Sequence, residues 1–264
     1  MATRSYLVFD IETVPDPAYP WDGAKDGFPP APFHKCVALG VLWLDEDHRF
    51  KKMGVFGDKR EGGGPEAVVD EAATLAEFAR FVGQARPDLV TYNGRKFDLP
   101  VLTNRMLHHG IPFPAYYSDR DYRYRYSDRG HLDLADILTD FGATRMPKLD
   151  HVARLSGMPG KMDDDGSMVE PLYHEGRLDE IREYCLHDVV QTTFVFLRVQ
   201  LLRGRLSVEA YRDRVRALWD ELAKDARVQP VLAAADEDRV MLVDHQSEQT
   251  NEPSGEHRSE KDEA

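Results

Sequence analysis

The sequence predicts a mixed α/β sheet with helices packed on its faces. Two observations carry that prediction. Near the N-terminus three strand-like runs follow one another, "YLVFDIETVP", "CVALGVLWL" and "RFKKMGVFG", with the acidic turn "DEDH" between the last two. Beyond residue 70, helical periodicity and short apolar runs alternate, the pattern of helices laid against a sheet.

The elements follow in order. Side chains alternate along a strand, so in the first run Leu7, Phe9 and Ile11 point one way and Tyr6, Val8, Asp10 and Glu12 the other. The Pro-rich stretch "PDPAYPWDGAKDGFPPAPFHK" is a loop, and "KREGGGPEAV" is a flexible connection. Leu75, Phe78, Ala79 and Val82 mark a helix over residues 71–84. "PDLVTYNG" is a short buried strand stopped by Asn-Gly. A helix over 99–109 tolerates Pro100 in its first turn and stops at Gly110. "HLDLADIL" is a fifth strand running into a helix, and "KLDHVARLSG" is a helix ending in Gly157. Residues 158–176 form a loop rich in Asp and Gly, followed by a long helix over 178–202. In the last helix, 207–222, Val208, Tyr211, Val215, Leu218 and Leu222 form a stripe of core type, with Ser207 as N-cap. There is no internal repeat.

Composition bounds the function. Hydrophobic content of 42% and charged content of 31% in 264 residues describe a globular chain able to bury a full core. No run approaches the roughly twenty apolar residues of a membrane span, and no signal-peptide core precedes the first strand. Cys36 and Cys185 are too few for a disulfide framework or a cysteine zinc site, so a reducing, cytoplasmic setting is expected. The net charge of −13 excludes a broad polyanion binder. Of it, −7 lies in residues 232–264, which leaves −6 for residues 1–231. An enzyme that handles a strand locally remains compatible with that balance.

Four acids carry the chemistry. Asp10 and Glu12 share one face of the first strand, where two carboxylates repel and lose hydration unless a cation sits between them. Read alone, they also fit a strand end that has reached solvent. Asp98 falls in "TYNGRKFDLPVL" where strand turns into helix, a place equally suited to an ordinary N-cap. In "REYCLHDVVQTT", Tyr184 and Asp188 lie one turn apart on a helix. Together these carboxylates, from three distant segments, match what a two-metal site requires.

At this point the chain resembles a known family. "FDIET", "YNGRKFD" and "YCLHD" are similar to the three motifs of the DEDD 3′→5′ exonucleases, with the tyrosine form of the third motif at Tyr184 and Asp188 (DEDDy). The histidine form would need His at position 183, which is Glu183, and His187 stands in the wrong place for it. "YNGRKFDLPVL" and "KLDHVARLSG" resemble, in order, segments of the proofreading domain of family B DNA polymerases, and the chain is most like the stand-alone bacterial proteins related to that domain. The likeness covers roughly residues 5 to 205, and the joint occurrence of three ordered motifs makes it specific.

The resemblance implies the ribonuclease H-like fold: a mixed five-stranded sheet, three antiparallel strands then two parallel, flanked by helices. The likeness ends near residue 205, so the chain reads as an exonuclease domain (1–205), a C-terminal helical extension (206–231) and, by its polar composition, an acidic tail expected to be disordered (232–264). Carried over residue by residue, Asp10, Glu12 and Asp188 would hold the first of two divalent ions, Mg²⁺ or Mn²⁺. Asp10 would bridge to the second, and Asp98 would assist directly or through water. Tyr184 would orient the attacking water, since a phenol with a pKa of about 10 is a poor base at neutral pH. Thr13 and Asn93 would contact the terminal sugar or 3′-hydroxyl, and Phe97 would line the pocket. The implied reaction releases nucleoside 5′-monophosphates from single-stranded DNA or RNA 3′ ends, DNA favoured, with DNA repair or replication proteins as expected partners. RNA 3′-end trimming and a catalytically silent nucleic-acid-binding module are the alternatives.

Other features carry less. "AYYSDRDYRYRYSDRG" interleaves aromatics with arginine, and Tyr122, Tyr124 and Tyr126 would share a face if extended, but the acids nearly cancel the arginines. A decorated surface loop is the plainer expectation. "MDDDG" fails as a calcium loop because position twelve from Asp163 is His174. His108 and His109 close a helix, with no cysteine to share a zinc ion.

Overall fold

In the computed structural model, residues 4–23, 28–57, 70–161 and 168–243 are described. The "MDDDG" run, the Gly-rich connection at 59–68 and the end of the acidic tail lie outside them. Strands β1 (Tyr6–Pro15), β2 (His34–Leu44) and β3 (Phe50–Val55) form an antiparallel meander, and β4 (Asp88–Thr91) and β5 (His131–Asp133) add in parallel. The sheet order is β3-β2-β1-β4-β5, the mixed five-stranded α/β arrangement expected.

The alternation of β1 sorts the core. Leu7, Phe9 and Ile11 face α1 (Glu71–Ala85) and α2 (Asp98–His109), packing with Leu75, Phe78, Val82, Leu99 and Leu102. Val8 faces the other way, onto Leu186, Val189, Val190 and Phe194 of α8 (Leu178–Leu202). Helix α9 (Val208–Leu222) lies outside α8. Its Tyr211, Val215, Leu218 and Leu222 are buried, Val208 is exposed, and the Ser207 hydroxyl accepts from Ala210 N at 3.1 Å as the cap requires. Gly110 ends α2 in the left-handed conformation (φ 67°).

Three expectations are corrected. The aromatic-arginine segment is not extended: it forms α3 (Pro114–Ser118) and α4 (Arg120–Arg123), which turns Tyr122 into the core to donate to the Pro87 carbonyl at 2.7 Å. Tyr124 and Tyr126 stay exposed, so no three-tyrosine face exists. The loop expected over 158–176 contains α7 (Val169–His174), whose Val169 packs beneath the start of α8. The tail expected from residue 232 is folded through Met241: α10 (Gln229–Ala233) and α11 (Glu237–Met241) bury Leu232, Val240 and Met241. Few apolar residues among acids hid that packing. Gly157, which closes α6 (Leu149–Leu155), is left-handed (φ 93°), and a Cβ there would lie 2.8 Å from Val240 N, so α11 docks against bare backbone. The remaining helix, α5 (Leu134–Leu138), continues directly from β5.

Candidate active site

The ladder between β1 and β2 sets the first pair of acids. Asp10 is registered with Gly40 and Glu12 with Ala38, and the register shifts between Glu12 and Thr13. Small partners leave room for α8 to lie close on that face. A Cβ at Gly40 would come 2.9 Å from Cys185 Sγ and 3.2 Å from Val189 Cγ2. Because α8 sits so near, Tyr184 and Asp188, one turn apart and half-buried, reach the same end of the sheet.

Asp98 is the first residue of α2, and the capping position is Phe97, which makes no side-chain cap bond. The plain N-cap reading therefore does not describe it. Its carboxylate is buried, and the nearby backbone N–H groups of Ile11 and of Asp98 itself favour its ionised form, which places it against β1 beside the first pair. Thus one strand, one helix start and one long helix bring Asp10, Glu12, Asp98 and Asp188 into a common electrostatic neighbourhood.

The carboxylates raise one another. Asp10 and Glu12 are held well above the usual range, first by burial and then by the neighbouring acids. Burial pushes Asp98 up to about 7, with Asp133 and Asp188 adding to it, against the lowering effect of the two N–H groups. Asp188 rises to about 6, mainly by burial, with Asp150 adding to it. The opposing charge is Lys161, whose field favours the ionised forms of Asp10, Glu12 and Asp188. A site that accumulates negative charge from oxygen donors fits a divalent cation such as Mg²⁺ or Mn²⁺.

Donor atoms of Asp10, Glu12 and Cys185 lie within 4.8 Å of one another. The thiol is nevertheless a structural group. It donates to the Asp10 carbonyl at 3.3 Å, accepts from Gly40 N at 3.2 Å, and burial holds it protonated, with a pKa well above that of a free thiol. A metal-ligating cysteine is a thiolate, so the donors suited to a hard cation are the carboxylates.

The residues expected to meet the terminal nucleotide lie in the segments that carry these acids, Thr13 after Glu12 and Asn93 and Phe97 before Asp98. Thr13 Oγ1 lies 3.0 Å from His34 Nδ1. The Phe97 ring packs against His34 and Phe28, at 5.2 and 5.5 Å between centroids. Asn93 adopts a left-handed conformation (φ 66°), which asparagine tolerates, and its N–H donates to Asp133 Oδ1 at 2.8 Å. The turn alone therefore accounts for the residue type at position 93. His187 is committed elsewhere, donating through Nε2 to the Arg227 carbonyl at 2.8 Å.

Three features escaped the sequence reading. Asp133 orders the β4–α2 turn by accepting from Asn93 N and Arg95 N, and its signal was an acid at the end of a short strand. Lys161 had no motif to mark it. A buried cluster also ties Arg105 to Glu71 (2.9 and 2.7 Å) and to Asp16 (2.6 Å), while Glu71 accepts from Cys36 N at 2.7 Å. His109 joins it at 2.7 Å from Glu71 Oε2. It anchors the Pro-rich loop, α1 and α2 around the edge of the site.

The family profile described as "Predicted 3'-5' exonuclease related to the exonuclease domain of PolB" matches residues 26–235. The chain belongs to that family. The matched span of this exonuclease family includes Asp98, Tyr184 and Asp188 and begins after Asp10 and Glu12. Among curated proteins, the catalytic polypeptide of DNA polymerase epsilon from Schizosaccharomyces pombe is 23% identical over 218 residues, 75% of this chain but only 9% of that protein. Among solved structures, the family B DNA polymerase of the hyperthermophilic archaeon Pyrobaculum calidifontis superposes with a TM-score of 0.52 at 23% identity, covering 90% of this chain and 28% of that one. That likeness is one of fold. No helix among the described residues is long and apolar enough to cross a membrane.

Proposed function

We propose that this family member is a DEDDy-type 3′→5′ exonuclease that hydrolyses terminal phosphodiesters of single-stranded nucleic acid, DNA in preference to RNA, by a two-metal mechanism. The observation that carries the reading is the accumulation of four carboxylates whose proton affinities are all raised, three of them, Asp10, Glu12 and Asp188, in the opposing field of Lys161. Asp10, Glu12, Asp98 and Asp188 would hold Mg²⁺ or Mn²⁺, which when bound would supply acidity to the attacking water and offset charge on phosphorus and on the leaving 3′-oxygen.

The chain's own residues do the rest. Tyr184, one turn from Asp188, orients the water in line with the terminal phosphorus. The water gives up a proton to solvent as its oxygen bonds to phosphorus, and the bond to the 3′-oxygen of the penultimate nucleotide breaks. That oxygen takes a proton from solvent to become the new 3′-hydroxyl, and a nucleoside 5′-monophosphate leaves. Thr13 and Asn93 hold the terminal sugar, and Phe97 lines the base side. Residues 1–205 form the catalytic unit, and the helices beyond 206 buttress α8, since Val215 and Leu218 share its core. The cysteine usage fits a cytoplasmic setting, and the polymerase likeness makes repair or replication proteins the natural partners.

The test uses 5′-labelled single-stranded DNA and RNA of matched sequence with Mg²⁺, Mn²⁺ or EDTA. A ladder shortening from the 3′ end, faster on DNA and abolished by EDTA, is expected. Faster cleavage of RNA would reassign the substrate. Binding of either strand without cleavage would overturn the enzyme in favour of a silent binding module.

A further inference from the structure

The Pro-rich loop between β1 and β2 has an assignable purpose at its end. Pro29, Pro30 and Pro32 restrict the backbone, and the 3₁₀ turn Ala31–Phe33 folds it back so that the Pro29 carbonyl lies 2.9 Å from His34 Nε2. A carbonyl only accepts, so Nε2 carries the hydrogen. His34 is 3% exposed, and burial lowers its affinity for a second proton. In the neutral ring Nδ1 is then a bare acceptor. Thr13 Oγ1, 3.0 Å away, must therefore donate its single hydrogen to Nδ1. Its remaining capacity is to accept.

We infer that His34 is a positioning residue that fixes the Thr13 hydroxyl as a hydrogen-bond acceptor, so that the site selects nucleic-acid ends whose terminal 3′ group donates a hydrogen. This rests on the reading of Thr13 as a contact of the terminal sugar. The rings of Phe28 and Phe97 hold the imidazole in place from two sides, at 4.8 and 5.2 Å. Phe28, 72% exposed, is the outward face of that cluster. Histidine at 34 thus sets the polarity of the contact through the tautomer that Pro29 imposes.

The test compares single-stranded oligonucleotides ending in 3′-hydroxyl, 3′-deoxy and 3′-fluoro. Fluorine is close to hydroxyl in size but donates nothing. For the wild type, kcat/KM on the hydroxyl end should exceed that on both other ends by roughly 10- to 100-fold, the value of one buried hydrogen bond. A fluoro end cleaved as well as the hydroxyl end overturns the inference. Thr13→Val and His34→Leu should each bring the hydroxyl-to-deoxy ratio close to one, while His34→Gln, whose amide can both donate to Pro29 and accept from Thr13, should restore part of it. A folded His34→Leu variant with the wild-type ratio overturns the inference. The Thr13→Val and fluoro arms still decide if His34→Leu does not fold. If no end is cleaved, the exonuclease reading fails separately. Anisotropy of the same three labelled ends in EDTA then decides: tighter binding of the hydroxyl end supports the inference, and equal or absent binding overturns it.

Discussion

Gly40 faces Asp10 across the β1–β2 ladder, and its N–H donates to Cys185 Sγ at 3.2 Å. Helix α8 can approach the sheet only because position 40 has no side chain. Gly40→Ala would place a Cβ 2.9 Å from that sulfur, which should cost about 1–3 kcal/mol through overpacking. Since α8 carries Tyr184 and Asp188, cleavage should fall as well. Denaturant unfolding and initial rates on a labelled oligonucleotide check both.

Cys185 lies among the carboxylates yet is occupied by backbone partners. Cys185→Ala should leave Mn²⁺ affinity within about threefold of wild type, since no ligand is lost. Stability should fall by about 1–3 kcal/mol because the buried sulfur that packs on Gly40 and the Asp10 carbonyl is replaced by a small void. Calorimetric Mn²⁺ titration separates the two; a tenfold or greater loss of affinity would make the cysteine a ligand.

The raised carboxylates make the metal-free protein pH-sensitive. Asp98 at about 7 and Asp188 at about 6 both lie above the ordinary value of 3.8. Between about pH 4 and pH 7 the folded state therefore binds more protons than the unfolded chain, and stability falls as pH rises through that window. Their contribution is fully present below about pH 4 and lost through pH 6–7. In EDTA, the difference in Tm between wild type and Asp98→Asn should shrink by on the order of 5 °C from pH 7.5 to pH 5. Mg²⁺, which favours the ionised acids, should raise wild-type Tm most at the higher pH.

Arg105 is buried between Glu71 and Asp16. Arg105→Met should destabilise by about 3–5 kcal/mol, because it strands two buried carboxylates. The double variant Arg105→Met with Glu71→Gln should recover part of that loss. Additive losses in unfolding experiments would contradict a coupled network.

Tyr184→Phe removes one hydroxyl and no carboxylate. Cleavage should slow roughly tenfold, the worth of one hydrogen bond of about 1–1.5 kcal/mol in the transition state. Mn²⁺ affinity should stay unchanged. Equal rates for the two proteins would mean that Tyr184 only packs.

Much of this architecture was legible in local pattern. Alternation in "YLVFDIETVP" sorted Leu7, Phe9 and Ile11 from Val8, and the caps at Ser207 and Gly110 marked helix ends. The acids were legible because strand and helix periodicities fix which residues share a face. What stayed hidden depends on contacts distant in sequence. Arg105 reaches Glu71 across 34 positions, and Cys185 reaches Gly40 across 145. Tyr122 looked like a surface aromatic until α4 turned it inward. Val240 and Met241 looked like tail because the short apolar run 240–243 stands between charged residues and is too brief to show a helical period.

The central claim is that carboxylates from three segments act as one metal-dependent site. Its most direct test is the cleavage rate of 5′-labelled single-stranded DNA in Mg²⁺ by wild type, Asp10→Asn and Asp188→Asn, with Tm measured alongside. The account predicts that both variants fold, bind the strand and cleave it at least about 10³-fold more slowly, a loss of about 4 kcal/mol of transition-state stabilisation. Near-wild-type cleavage by either folded variant would contradict it.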